Sequence, residues 1–284
     1  SGSGKSVTAK SIMQLNPGNT TYNDDAEIII DKENVLKFSS KNDLKKIRGG
    51  KVSMIFQEPM ASFAPAIKIG HQMVEQLLLH KSLNKKEAKS ISIDMLNRVG
   101  IADAEKRFNQ YAFELSGGMR QRAMIAMALS TMPKLLLADE PTTALDVTIQ
   151  AQVINLIKDI IKEYNMGVIF ITHDLGVIAQ VADDVAVMYL GSIVEKGPVN
   201  EILKNPKHPY TKGLLNALPD INNLDAPLRP IPGNIPSPLE RPSGCVFRTR
   251  CPNPTHECKE GHVEMGLLEV SPGHWVDQCC VNCH

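Results

Sequence analysis

Two features that are common in membrane-spanning and secreted proteins are missing from this sequence. No stretch of the 284 residues approaches the length of uncharged apolar chain that is needed to cross a bilayer. No basic segment followed by an apolar run stands ahead of the first motif, so secretion is not indicated. The sequence therefore predicts a globular protein that does not cross a membrane unaided.

A net charge is also lacking, as is any cysteine in the first 244 residues. The 31 basic and 31 acidic side chains balance, which gives no reason to expect nucleic acid as a partner. All six cysteines lie from Cys245 onward, which argues against an extracellular protein stapled by disulfides. With 43% hydrophobic residues, the chain is long enough for a full core plus an appendage.

The chain opens inside a phosphate-binding pattern. The motif G-x-x-x-x-G-K-[ST] ends at Gly4-Lys5-Ser6, but its first glycine would stand one position before Ser1. We therefore expect a fragment that begins within this motif, and a flexible Gly/Ser linker is the alternative. In a phosphate loop, Lys5 supplies charge to the phosphates and Ser6 a hydroxyl to Mg²⁺. The backbone that would face the phosphates belongs to Ser1, Gly2, Ser3, Gly4, Lys5 and Ser6.

A pair of acids follows the most apolar predicted strand. The run from Leu135 to Ala138 stops at Asp139 and Glu140, as a buried strand does when it delivers acids to a site. Asp139 would hold Mg²⁺ through water, while Glu140 would orient or deprotonate the attacking water. A solvated acidic loop is the alternative, and it fits poorly with the apolar residues just before the pair.

Three further patterns would complete a nucleotide site. Ser116-Gly117-Gly118 opens a predicted helix, whose first N–H groups are free to face an anion. Gln57 follows the predicted strand 52–56 and would bind Mg²⁺ or the attacking water, although an ordinary polar residue at a strand exit is the alternative. His173 follows the predicted strand 168–171, where open α/β sheets bind ligands, although a structural histidine is the alternative.

The remaining segments predict helices and a boundary. Residues 71–81 and 86–99 have helical spacing and no long heptad run, which predicts a small helical insertion. Residues 206–211 are interpreted as a rigid connection. After Leu218 the composition shifts to Pro, Asn and Gly, and we place a domain boundary there.

These motifs, in this order, resemble the ATPase subunits of ABC transporters, in particular the oligopeptide/dipeptide importer branch. Gly4-Lys5-Ser6 is similar to the end of Walker A, Gln57 to the Q-loop and His173 to the switch histidine. Leu115 to Gln121 resembles the LSGG signature, and Leu135 to Glu140 resembles Walker B with its catalytic glutamate. Ala144-Leu145-Asp146 resembles the D-loop.

The resemblance implies an α/β fold, the P-loop ABC ATPase core, with a mainly parallel sheet flanked by helices. It implies an ATPase domain over residues 1–218 with a helical subdomain at about 71–131. A small C-terminal extension of the oligopeptide-transporter type, which carries the cysteines, would cover residues 219–284.

The resemblance also implies roles and partners. Glu140, His173 and Gln57 would be catalytic, and Ser6, Gln57 and Asp139 would bind Mg²⁺. ATP would be sandwiched between two ATPase subunits, identical or different, with Ser116, Gly117, Gly118 and Asp146 among the nucleotide-binding residues. The other partners would be two membrane permeases and, indirectly, an extracytoplasmic substrate-binding protein, with no nucleic acid. Hydrolysis would drive import of peptides or related small solutes from the cytoplasmic face of the plasma membrane, to which the subunit would bind peripherally.

The cysteines carry a second expectation from the resemblance. Some members of this branch hold a 4Fe–4S cluster, and the spacing Cys245-x5-Cys251-x6-Cys258 matches their pattern. We expect Cys279 as the fourth ligand, with Cys280 and Cys283 as alternatives. A structural zinc site or free thiols are the alternatives to the cluster.

Two other functions are weighed against import. The first is a soluble ABC-type ATPase of DNA repair or translation, which would bring a long coiled coil or a second copy of the motifs. Neither occurs in this sequence. The second is a metal-binding scaffold with an inert nucleotide site, which substitution of Glu140 would distinguish.

Overall fold

The computed structural model describes residues 2–142, 146–218 and 229–281. Its contacts divide the chain into two compact units. The first unit is Ser6–His173, and the second unit comprises Ser1–Lys5 together with Asp174–His284. Each unit is described separately.

The first unit is built on a parallel sheet. Its elements in chain order are α1 (Lys5–Ile12, whose first residue counts with the second unit), β1 (Ile29–Ile30), β2 (Glu33–Asn34), α2 (Lys41–Ile47), β3 (Val52–Ile55), α3 (Ile69–His80), α4 (Lys85–Arg98), α5 (Ala104–Phe108), α6 (Gly117–Ser130), β4 (Leu135–Asp139), α7 (Val147–Tyr164) and β5 (Gly167–Ile171). Strands β1 and β2 form an antiparallel pair, while β3, β4 and β5 form a parallel sheet in that order.

Strand β4 lies at the centre of this sheet. Leu136, Leu137 and Ala138 are fully buried, as expected for a parallel strand that is covered on both faces. Because the three strands are parallel, the residues that follow them lie along one edge of the sheet. The predicted α/β architecture with a parallel sheet is therefore confirmed.

Helices α3 to α6 form the insertion, from Ile69 to Ser130. Their apolar faces share one core that includes Met73, Met95 and Phe108. Gly70 is required at the contact of α3 with α5, because a Cβ at this position would lie 2.2 Å from the Phe108 ring. These helices occupy nearly the interval in which the sequence predicts a helical subdomain.

The second unit contains an antiparallel sheet. Its elements are α8 (Leu175–Val181), β6 (Asp184–Tyr189), β7 (Ser192–Pro198), α9 (Val199–Lys204), α10 (Pro209–Asn216), α11 (His256–Glu260), β8 (Leu267–Ser271) and β9 (His274–Asp277). The sheet has the order β6–β7–β9–β8. Leu190 and Gly191 both have positive φ at the turn of the β6–β7 hairpin, the conformation that tight hairpin turns need.

The sheet of the second unit crosses the predicted domain boundary at 218/219. Strand β9, from the predicted extension, pairs with β7, so that Glu195 lies opposite Val276. The hydrogen-bonded strands and the buried Val276 hold both segments in one unit, and the contacts divide the chain at Asp174 instead. The described residues 229–281 therefore belong to the same unit as β6 and β7.

Two smaller results complete the fold. The interpretation of residues 206–211 as a rigid connection is wrong for its second half, because α10 begins at Pro209. Proline is compatible with the first helical position, where its missing N–H is not needed. Among the described residues, no helix has both the length and the apolar character that a membrane span requires.

Candidate functional site

Three predicted catalytic residues meet at the carboxyl edge of the parallel sheet. Gln57 Nε2 donates a hydrogen bond to Glu140 Oε2 at 3.0 Å, and His173 Nδ1 lies 3.2 Å from Glu140 Oε1. Each partner follows a strand next to β4, since Gln57 comes after β3 and His173 after β5. The Glu140 carboxyl group is thus oriented from both sides, while the His173 side chain is 71% exposed.

The backbone at Glu140 turns sharply away from β4. Glu140 has φ of +48°, the left-handed conformation that a side chain with a Cβ rarely adopts. Its N–H donates to the carbonyl of Ile171 at 2.8 Å, which fixes this turn against β5. Such strain persists where the surroundings enforce it, and it frequently marks a functional site. Here the turn leaves Asp139 buried and places the Glu140 carboxyl group between Gln57 and His173.

Asp139, the last residue of β4, is only 3% exposed. Its Oδ1 atom is buried without a hydrogen-bond partner. A buried carboxylate oxygen with no partner is costly unless a cation or a bound water satisfies it. The residue therefore fits the predicted role of holding Mg²⁺ through water.

Gln121 is a site residue to which the sequence assigned no role. It is 1% exposed on α6, and its Nε2 donates to the carbonyl of Pro141. This bond ties the helix of the LSGG segment to the turn that follows Glu140. Because its sequence neighbours are Arg120 and Arg122, no local signal distinguished Gln121 from the exposed polar residues of a helix.

The LSGG segment forms an exposed helix start. Ser116 caps α6, because its side chain accepts from the N–H of Met119 at 3.3 Å. Ser116 and Gly117 are exposed, and the space over the Gly117 Cα is open. Gly118 follows within α6. This exposed helix start is accessible to an anion, and the binding of nucleotide by Ser116, Gly117 and Gly118 stays a prediction.

The phosphate-loop residues of the second unit have the backbone that such a loop needs. Gly2 and Gly4 have φ of +86° and +94°. Lys5 Nζ donates to Ser3 Oγ at 3.1 Å, and the Ser3 carbonyl accepts from the N–H of Gly191 at 3.0 Å. Ser1 lies outside the described residues.

The two remaining residues that are predicted to bind nucleotide lie at helix starts. Ser6 is half-buried in the first turn of α1. Asp146 caps α7 and accepts from the N–H of Ile149 at 3.0 Å. The other residues of the predicted D-loop, Ala144 and Leu145, lie outside the described part of the chain. The roles of Ser6 and Asp146 toward nucleotide stay predictions.

The cysteines gather in the core of the second unit. Cys245, Cys258, Cys279 and Cys280 are buried, and Cys251 packs against them. A hydrogen bond with Cys279, together with burial, raises the pKa of Cys245 far above its usual value. Burial likewise raises the pKa of Cys251, with smaller contributions from Cys245 and Cys258. The four predicted ligands are therefore neighbours, whereas Cys283 lies beyond the residues that the structure describes.

Three polar side-chain atoms without partners belong to buried residues of this second unit. Buried His208 Nε2, Asp277 Oδ2 and the Tyr189 hydroxyl have no hydrogen-bond partner. Burial raises the pKa of Asp277, since the carboxylate form is poorly solvated there. Native cores rarely leave polar atoms unsatisfied, so these atoms and the thiols fit a site for a bound group.

The chain matches two family models. Residues 1–143 match the model described as ABC transporter, and residues 194–258 match the model described as Oligopeptide/dipeptide transporter, C-terminal region. The chain is 49% identical to the oligopeptide transport ATP-binding protein AppD of Bacillus subtilis, over 91% of this chain and 78% of that protein. It is 47% identical to the dipeptide transport ATP-binding protein DppD of the same species, over 100% of this chain and 82% of that protein.

A solved structure agrees with these matches. The dimeric post-hydrolysis state of the ATP-binding cassette MJ0796, bound to ADP and Pi, superposes with a TM-score of 0.61 at 25% identity. The match covers 69% of this chain and 81% of that one.

Proposed function

The chain belongs to the ABC transporter family of ATPases, and from this membership we propose that it is the ATP-hydrolysing subunit of a peptide importer. The observation that carries the proposal is the arrangement at Glu140, whose two carboxyl oxygens contact Gln57 and His173. The names of its relatives as oligopeptide and dipeptide transport ATP-binding proteins favour transport over a soluble ABC-type ATPase.

In this proposal Glu140 orients the attacking water and accepts its proton. Gln57 and His173 hold the carboxyl group in place, and His173 is exposed enough to contact the terminal phosphate of ATP. Asp139 and Ser6 hold Mg²⁺, which neutralises charge on the phosphates, and Gln57 contributes its amide oxygen. Lys5 supplies further positive charge to the β- and γ-phosphates.

The proposed assembly contains a second ATPase subunit, identical or different. The exposed N-terminus of α6, with Ser116, Gly117 and Gly118, would contact the ATP that is bound by the opposing subunit. Phosphate charge then favours closure of the pair, and hydrolysis removes this attraction. The solved dimeric cassette supports this arrangement.

Two membrane permeases complete the proposed transporter, with an extracytoplasmic binding protein as the indirect partner. The helical insertion carries an apolar groove of about 640 Å³ on α3 to α5, which includes Val74, Leu78 and Phe108. Such a groove supports docking of a permease helix. Docking would hold the subunit at the cytoplasmic face of the membrane.

We also infer that Cys245, Cys251, Cys258 and Cys279 hold a metal group. Thiolates suit an iron–sulfur cluster or zinc, either of which would fix the folded core. Cys245 is hydrogen-bonded to Cys279, and Cys279 Sγ lies 3.5 Å from Cys280 Sγ, so the sulfur spacing does not distinguish the two groups. The sequence spacing Cys245-x5-Cys251-x6-Cys258, which resembles that of cluster-bearing members of the branch, favours a 4Fe–4S cluster, with zinc as the alternative.

Reconstitution tests the transport proposal. The chain would be assembled in vesicles with its permeases, its partner ATPase and the binding protein, and phosphate release and uptake of a labelled peptide would be measured. We expect Glu140→Gln to reduce phosphate release by about 100-fold or more and to abolish uptake. Glu27→Gln, at an exposed glutamate, is the matched control. Phosphate release without uptake by the wild type would point to the soluble-ATPase alternative.

Metal analysis tests the cysteine proposal separately. Iron, sulfide and zinc would be measured per chain after anaerobic purification, together with the visible absorption spectrum. We expect iron and sulfide in equal amounts. Zinc without iron would support a zinc site in place of the cluster, and a metal-free protein would contradict both proposals.

A further inference from the structure

The imidazole of His208 is held in one orientation by a hydrogen bond to its Nδ1, and the backbone of the residue is held by a second hydrogen bond. Its Nδ1 accepts from the N–H of Tyr210 at 3.0 Å, which caps α10. Its own backbone N–H donates to Glu195 Oε2 at 3.0 Å. The side chain has no exposed surface. The ring can therefore not rotate without breaking the helix cap.

This orientation determines where the ring carries its proton. A backbone N–H is only a donor, so Nδ1 must present its lone pair, and the proton of the neutral ring lies on Nε2. Nε2 is buried and has no hydrogen-bond partner. One ring nitrogen of His208, the sulfur of Cys245 and a carboxyl oxygen of Asp277 lie within 4.8 Å of one another.

The spacing of these three atoms is that of a mixed metal site, but the hydrogen bond at Nδ1 argues against it. A histidine that binds metal through one nitrogen usually donates a proton from the other. In His208 the other nitrogen, Nδ1, carries no proton and accepts a hydrogen bond instead. Binding through Nε2 would therefore leave both ring nitrogens without a proton, as an anionic imidazolate.

We propose that His208 is a positioning residue, whose Nε2–H donates a hydrogen bond to the thiolate of Cys245 when the metal group is bound. The proposal rests on the metal site that is proposed above. A thiolate in this core has lost its water, and the neighbouring carboxyl group of Asp277 is also unfavourable to its charge. A buried N–H donor offsets both effects. Hydrogen bonds to the sulfur ligands are known to raise the reduction potential of iron–sulfur clusters.

Two substitutions separate this donor from the helix cap. His208→Asn keeps an oxygen that can cap α10, but its side chain is too short to reach Cys245. His208→Gln brings an amide N–H toward the position of Nε2 and weakens the cap. Iron content, loss of iron to EDTA and the midpoint potential would be measured on the full chain, purified anaerobically. Thermal melting would report the folding of each variant.

We expect His208→Asn to lower the apparent metal affinity about 10-fold or more and to lower the midpoint potential. His208→Gln should retain most of both values although its melting temperature falls. If His208→Asn instead kept the metal affinity and the midpoint potential and His208→Gln lost them, the only role of His208 would be to cap α10, which would overturn the proposal. Equal metal affinity and potential in His208→Asn and the wild type would overturn it as well. A wild-type protein that holds no metal would contradict the metal site and the proposal together, whereas the outcomes for the variants test His208 alone.

Discussion

Glu140, at the edge of the parallel sheet, and the thiols of the second unit are titratable groups whose surroundings differ. Both oxygens of Glu140 have protein partners, and one of these partners is largely exposed. Around the cysteines, buried atoms such as His208 Nε2 and Asp277 Oδ2 have none. Glu140 is thus ordered by protein contacts and lies beside an exposed side chain, as the proposed hydrolysis requires, whereas the atoms around the cysteines are those that the proposed metal group would stabilise.

One buried acid in the second unit has three hydrogen-bonding partners, and its substitution is expected to have the largest effect on stability. Glu195 has no exposed surface and accepts from the N–H groups of Lys207 and His208, at 2.7 and 3.0 Å. His274 Nε2 lies 2.8 Å from the same carboxyl group. We expect Glu195→Ala to lower the free energy of unfolding by about 3–5 kcal/mol, because the buried groups of His208 and His274 and the N–H of Lys207 all lose their partner. Denaturant titration measures this loss.

Glu240→Ala is the control for Glu195, since Glu240 is exposed. We expect its free energy of unfolding to stay within about 0.5 kcal/mol of the wild type. Similar values for both variants would mean that buried polar contacts do not set the stability of the second unit. Unsatisfied buried atoms around the cysteines would then be no evidence that this unit requires a bound group.

The catalytic cluster offers a kinetic test of the same contrast. If the protein alone orders Glu140, removal of either partner should reduce turnover without unfolding the chain. We expect His173→Ala to lower the rate of phosphate release about 100-fold, since it loses both the contact to Glu140 and the proposed contact to phosphate. Gln57→Ala should lower the rate of phosphate release less, by about 10-fold, because water can replace the missing amide while His173 still contacts Glu140.

Turnover by the assembled transporter at saturating ATP measures these effects, with circular dichroism as the check on folding. Equal and complete loss in both variants would show that the carboxyl group requires both partners at once. Wild-type turnover in both would contradict the assigned roles.

Gln121 tests the bond between α6 and the turn after Glu140. Gln121→Leu keeps nearly the same volume but leaves the Pro141 carbonyl without its donor, so we expect a loss of about 1–3 kcal/mol in the free energy of unfolding. Gln121→Glu, the matched variant, also loses the donor and adds a buried charge, so it should cost more. Thermal and denaturant unfolding of the two variants decide the order. A larger loss of unfolding free energy in Gln121→Leu than in Gln121→Glu would contradict this role.

The parallel sheet and its acids could be predicted from sequence because their signals are local. A buried parallel strand is a continuous apolar run, and the run from Leu135 to Ala138 ends abruptly at Asp139 and Glu140. Neighbouring parallel strands bring their following residues to one edge, which is why Gln57 and His173 could be predicted as site residues.

The organisation of the second unit could not be predicted in this way. Strands β7 and β9 are joined through residues such as Glu195 and His274, which are 79 positions apart. Alternation within a strand indicates which face is buried but does not specify the partner strand. The cap that orients His208 was likewise hidden, because a proline after a histidine is typical of both a turn and a helix start.

The smallest expected effect lies outside both clusters, at an exposed ion pair that gives a baseline for the comparison. Arg98 donates to Glu163 and, at 3.1 Å, to the hydroxyl of Tyr164. A hydrogen bond with Tyr164, followed by the one with Arg98, holds the pKa of Glu163 below its ordinary value of 4.5. The carboxylate therefore stabilises the fold above pH 4.5, and this contribution is lost as the pH falls through the lower pKa of the folded state.

We expect Glu163→Gln to lower the melting temperature by at most about 2 °C at pH 7, and the difference to vanish in strong acid. A difference that grows as the pH falls would mean that the pKa is raised in the folded protein, and the baseline would then have to come from another exposed pair, such as Lys46 with Asp43.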